Sequence, residues 1–195
     1  MITGNNLIRN LAETVFPSAL WRIPGSEKIL YLTFDDGPVP GITSFVIDEL
    51  GKYQAKATFF CVGENVFKNE ALYREIISRG HTVGNHTYHH LNGWKTNNRN
   101  YLGDVEKCGQ LVYSKFFRPP YGRMSPGQYA VIRKKFSVVM WDVLSRDYDP
   151  GISPDVCFRR VIDHSKPGSV VVFHDSAKAA TTLKVVLPKI GRAHV

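Results

Sequence analysis

Lys28-Ile29-Leu30-Tyr31-Leu32-Thr33-Phe34 runs directly into Asp35-Asp36-Gly37-Pro38. The first seven residues suit a strand buried inside a sheet, and the Gly-Pro pair must carry the chain out of it in a turn. From there the pattern alternates. Helical spacing over 43–53 precedes an apolar run at 57–62. Further helices are expected at 70–79, 101–113, 127–135 and 154–165, and strands at 82–83, 115–117, 138–141 and 169–173. A βαβα succession without repeats or linkers predicts a single parallel sheet covered by helices. A short helical stretch is expected before it, at 6–16, within an N-terminal extension covering 1–27.

In such folds the chemistry gathers where strands end. Four expected strand ends carry polar clusters: Asp35-Asp36, Arg118-Pro119-Pro120-Tyr121, Asp142 to Asp147, and His174-Asp175. Side chains alternate in direction along a strand, so Asp35 and Asp36 are free to do different jobs, one binding a cation and the other staying unbound. Capping of the following turn is the plainer reading of the pair. His86 and His90 are four apart, which on a helical turn places both imidazoles on one face; His89 offers a competing pair with His86 at a spacing of three. Two such nitrogens with one carboxylate make a three-ligand site with a position left for water. Arg118 is a permanent cation on a proline-stiffened loop, and its natural partner is a carboxylate such as Asp35. His174 closes an apolar strand, where an imidazole can act as general acid.

Composition limits the alternatives. A chain of 195 residues with 43% hydrophobic and 22% charged residues has the makeup of one globular domain. Its longest apolar stretches fall short of the roughly 20 residues that span a bilayer. Cys61, Cys108 and Cys157 are odd in number and lack CxxC spacing, which argues for reduced, buried thiols. The net charge of +8 comes from scattered residues without an RNA-binding aromatic motif, so a solvated basic face is expected rather than a nucleic-acid partner. Asn5, Asn6, Arg9 and Asn10 break any apolar leader, and a cytoplasmic location is expected.

Taken in order, Thr33-Phe34-Asp35-Asp36-Gly37, His86-Thr87-Tyr88-His89-His90, Arg118-Pro119-Pro120-Tyr121 and Val172-Phe173-His174-Asp175 resemble the motifs of the polysaccharide deacetylase family, also called NodB-like or carbohydrate esterase family four. The resemblance covers about 28–188. It implies a distorted, incomplete (β/α) barrel over 28–189 and a hydrolase that removes acetyl groups from N- or O-acetylated carbohydrate through a metal-activated water. By the same resemblance Asp36, His86 and His90 bind a divalent metal, zinc or else cobalt, Asp35 is the base and His174 the acid. Arg118 holds Asp35, so Arg118→Met should slow turnover and spare metal binding. Tyr121 lies beside the acetyl group, with Pro120, Trp141 and Asp147 also against substrate. Other readings are the same fold acting on a different amide or ester, and a silent carbohydrate-binding relative.

Two departures stand out. The fourth motif usually reads Asp-x-x-Asp and an aromatic; here Leu144 holds the first position and only Asp147-Tyr148 remains, leaving Asp142, Asp175 or no residue to tune His174. Val172 stands where leucine is common. At the other end, Ile190-Gly191-Arg192-Ala193-His194-Val195 breaks the amphipathic pattern of 182–189 and spells the translation of a common sequencing adapter. These six residues are therefore expected to be non-native, and the barrel to lack its last strand through truncation.

Overall fold

The computed structural model describes residues 14–25 and 29–193. The helix expected at 6–16 lies outside them except for its last residues, of which Thr14 and Val15 are helical. Seven strands form one parallel sheet: β1 (Tyr31–Asp35), β2 (Thr58–Cys61), β3 (Thr82–Asn85), β4 (Phe116–Phe117), β5 (Ser137–Val138), β6 (Val143–Leu144) and β7 (Val170–His174). Their order is β5-β4-β3-β2-β1-β7-β6. The helices are α1 (Ile42–Lys52), α2 (Gly63–Lys68), α3 (Glu70–Ser78), α4 (Asn98–Gly109), α5 (Pro126–Ile132), α6 (Pro154–His164) and α7 (Ala180–Ala193). The short α2 was not foreseen from the sequence.

Local chemistry accounts for several boundaries. Ser125 caps α5 by accepting from the Gln128 backbone, while the Gln128 side chain accepts from the Ser125 N–H, and Pro126 occupies the first turn. Ser153 caps α6 by accepting from the Val156 N–H, with Pro154 in the first turn, and Asn97 caps α4. Helices cover the outer face of the central strands, and the inner face turns into the barrel, where Phe60, Val139 and Val170 pack together. Phe34, Phe59, Val171 and Phe173 are fully buried with Val46, Ile47 and Ile76 in one core.

The strand expected at 138–141 is instead divided. Val138 ends β5 at one edge of the sheet, and Val143 begins β6 at the other, so four residues join the two edges. The cause lies in competing partners. The Leu20 N–H donates to Val138 O and the Met140 N–H to Leu20 O, after which the Asp142 N–H turns to Val170 O. The N-terminal segment thus stands in the gap, with Leu20 bridging to Val139 and Arg22 to Ser169, and the sheet curls into an incomplete barrel. At the far end α7 continues across residue 190, with Ile190 buried in the core; His194 and Val195 lie outside the described residues.

Candidate active site

Arg118 is the deepest polar group of the site. Its side chain is fully buried, its guanidinium lies 4.1 Å over the Phe60 ring, and all of its nitrogens find oxygen. Nε donates to Val139 O (3.1 Å), Nη2 to Met140 O (2.8 Å), and Nη1 to both Thr33 Oγ1 and Asp35 Oδ1 (2.7 Å each). Arg118 therefore crosses the barrel interior and ties β1 to the segment that closes the gap. Asp35 is held through Oδ1, and its Oδ2 faces His86 Nε2 at 3.9 Å.

The three ligand atoms of Asp36, His86 and His90 lie within 4.8 Å of one another. Asp36 Oδ1 is 3.1 Å from His90 Nε2 and 3.8 Å from His86 Nε2. The histidines do not meet on a helical turn as their spacing suggested. After β3 the chain makes tight turns in which Thr87 and His90 have positive φ (61° and 56°), so backbone twist takes the place of helical periodicity. Asp104 anchors that turn, accepting from the Tyr88 and His89 backbones and meeting His89 Nδ1 at 2.6 Å. His89 is therefore committed away from the cluster.

Burial pushes the His86 imidazolium down, and although Asp35 and Asp36 pull the other way its pKa falls to about 4. The ring is neutral at pH 7, with Nδ1 donating to Arg118 O at 2.7 Å and the Nε2 lone pair turned to Asp36. For Asp36 burial alone would raise the pKa, but the hydrogen bond to His90 and the charges of His86, His174 and His90 outweigh it and hold the carboxyl at about 2. Two imidazole nitrogens and one ionised carboxylate, with one ring already oriented by a backbone carbonyl, fit a divalent transition metal.

His174 is the register partner of Asp35 on the neighbouring strand. Its Nδ1 meets Asp147 Oδ1 at 2.8 Å and its own backbone N–H donates to Asp147 Oδ2 at 2.8 Å. Burial would depress this imidazole, but the hydrogen bond and charge of Asp147 prevail and raise its pKa to about 9. Asp147 is buried and also accepts from Ser145 Oγ at 2.9 Å. The expectation for Asp147 is thereby corrected. Expected against substrate, its side chain is buried against His174 and raises that imidazole's pKa, the part expected of Asp142, Asp175 or no residue. Asp142 accepts from Ser169 Oγ, and Asp175 accepts from the Gly37 N–H and Thr43 Oγ1. Leu144 pairs with Val172, which carries Asp147 alongside His174. That strand neighbourhood was the missing signal.

Of the remaining expected contacts, Tyr121 is largely exposed at a positive φ of 60°, with its ring 4.6 Å from that of His90. Pro120 is buried beneath it. Trp141 is half-buried beside Gly122, where any Cβ would meet its ring at 2.6 Å. Tyr148 presents an edge to His174 at 4.7 Å.

The strand ends of this incomplete (β/α) barrel unite a cation cradle, a guanidinium-held carboxylate and a carboxylate-held imidazole, the class of site able to hold a cation with a proton acceptor and a proton donor beside it. Comparison with known proteins narrows the class. The polysaccharide deacetylase model matches residues 22–135. A peptidoglycan-N-acetylglucosamine deacetylase of Bacillus cereus is 36% identical over 160 residues, which cover 78% of this chain and 58% of that protein. The chain thus spans little more than half the length of that relative. A chitooligosaccharide deacetylase of Azorhizobium caulinodans is 32% identical over 79% of this chain and 77% of its own. A crystal structure of a peptidoglycan N-acetylglucosamine deacetylase superposes with a TM-score of 0.78 at 32% identity, covering 90% of this chain and 87% of the other. The chain belongs to the polysaccharide deacetylase family.

Proposed function

We propose that this chain hydrolyses the acetamide of N-acetylglucosamine units in a glycan, with a divalent metal at Asp36, His86 and His90. The observation that carries this reading is the pairing of Asp35 with His174 on adjacent strands, flanking the Asp36–His86–His90 cluster. When bound, the ion, zinc or alternatively cobalt, supplies Lewis acidity to the acetyl carbonyl and acidity to a coordinated water. Asp35 Oδ2 takes the proton from the attacking water, since Oδ1 is occupied by Arg118. The Tyr121 backbone N–H donates to the developing oxyanion. His174, kept charged by Asp147, gives its proton to the departing amine through Nε2, and acetate and the free amino sugar leave.

Acetate release from N-acetylglucosamine oligomers, peptidoglycan fragments and acetylxylan, measured on the native chain and on Asp35→Asn at equal zinc occupancy, tests this. Release from the amide substrates that disappears in the variant supports the reading. A folded, zinc-loaded chain that releases acetate from none of them overturns it, and release confined to acetylxylan moves the assignment to an ester.

A further inference from the structure

Trp94 is 67% exposed, yet both its indole N–H and one face of its ring have partners. Its indole N–H donates to Met124 O at 3.1 Å, and the Arg123 guanidinium lies 4.9 Å over one face of the ring. The backbone beneath it is equally fixed. The Trp94 N–H donates to Asn92 Oδ1, the Gly93 N–H to Arg123 O, and Gln128 Nε2 bridges Gly93 O and Thr96 O. Gly93 is required for this approach, because a Cβ there would stand 2.6 Å from both Arg123 O and Gln128 Oε1. A large apolar face left in water and denied rotation is unfavourable for the free protein, and it is the arrangement that lowers the ordering cost of a ligand.

Its position says which ligand. Trp94 is four residues beyond His90 and Arg123 two beyond Tyr121, and the His90 and Tyr121 rings are 4.6 Å apart. The platform therefore grows from the same two loops that form the metal end of the cleft. Tyr113, after α4, and Phe67, on α2, are also exposed, and α2 itself is bonded to the histidine turn through Thr87 O and Tyr88 O; it is Trp94 whose ring is fixed by both an N–H donation and a stacked guanidinium. We infer that Trp94 and Arg123 form a subsite that stacks a neighbouring pyranose ring of the glycan undergoing deacetylation, an inference resting on the reading above. The open indole face meets the C–H face of the sugar, and the Arg123 guanidinium packed over the other face holds the ring in place.

The test compares native chain, Trp94→Ala and Trp94→Phe on N-acetylglucosamine oligomers of two to six units. Binding is followed separately by calorimetry in the Asp35→Asn background, where turnover does not interfere. Trp94→Ala should raise KM for the long oligomers about tenfold with kcat and zinc content unchanged and leave the dimer unaffected, and Trp94→Phe should recover most of the loss. An equal loss at every length, a fall in kcat alone, or no change at any length overturns the subsite. Length-dependent glycan binding that requires Trp94 in a chain releasing no acetate would keep the subsite and remove the deacetylase reading. Normal acetate release indifferent to Trp94 would do the reverse.

Discussion

Two histidines stand at the ends of β3 and β7, with β2 and β1 between them in one sheet, and their surroundings drive them in opposite directions. At the end of β3, His86 is buried and gives its Nδ1 proton to a neutral carbonyl, that of Arg118; burial dominates and the ring stays uncharged. At the end of β7, His174 is nearly as enclosed but faces the Asp147 carboxylate, and the ring stays charged. The difference between the proposed ligand and the proposed acid thus lies in the group behind the imidazole rather than in the depth of burial.

The largest effect should come from breaking the β3 side. His86→Ala removes one of the three proposed ligands and the only fully buried one of them, so zinc content and acetate release should both fall to background, as read by elemental analysis and by turnover. On the β7 side Asp147→Asn should leave zinc in place while turnover falls by about 10²–10⁴-fold, the range of a lost general acid. In metal-free protein an NMR titration should then show the His174 pKa moving down from about 9 towards the ordinary imidazole value. The sign of the stability change follows. A folded-state pKa above the unfolded 6.5 contributes stability that is complete below that value and is lost as pH rises through 9, so Asp147→Asn should flatten the decline between them. Retained turnover in Asp147→Asn would dissolve the contrast between the two histidines.

Arg118 belongs to both sides, since its carbonyl orients His86 and its guanidinium holds Asp35. Arg118→Met should keep the carbonyl and hence the metal, but it strands Asp35 together with the Val139 and Met140 carbonyls. Loss of one partner of a buried ion pair costs roughly 3–5 kcal/mol, which in a chain of this size corresponds to a melting temperature roughly 10 °C lower. Slower turnover without any loss of stability would mean that the barrel does not depend on this crossing.

Much of this was legible in the sequence because it rests on short-range pattern. The order of strands and helices, and the placing of Asp35-Asp36, His86, Arg118 and His174 at strand ends, follow from apolar runs and turn residues. What was not legible depends on which strands lie side by side. Asp147 reaches His174 only because β6 pairs with β7, and the expected strand at 138–141 splits only because Leu20, more than a hundred residues away, supplies a better partner for Val138 and Met140. The histidine turn was misjudged for a related reason: a spacing of four satisfies a helix, but Asp104 on α4 stabilises left-handed turns instead.

The smallest effect concerns Asp175, which the family motif includes but which takes no part in the contrast above. It is buried, bonded to the Gly37 N–H at 3.0 Å and to Thr43 Oγ1 at 2.5 Å, and burial raises its carboxyl to about 8. A carboxyl that is protonated in the fold at neutral pH resembles an amide in shape and charge. Asp175→Asn keeps an acceptor for Gly37 and disturbs only the Thr43 contact, so it should cost about 1 kcal/mol in denaturant unfolding at pH 7. The linkage also has a sign: a folded-state pKa of about 8 against the ordinary carboxylate value means that the native side chain loses stability as pH rises from 4 to 8. The variant should therefore approach the native chain as pH rises. A gap that widens instead would show that Asp175 is ionised in the fold and acts as a charge on the Asp36 loop.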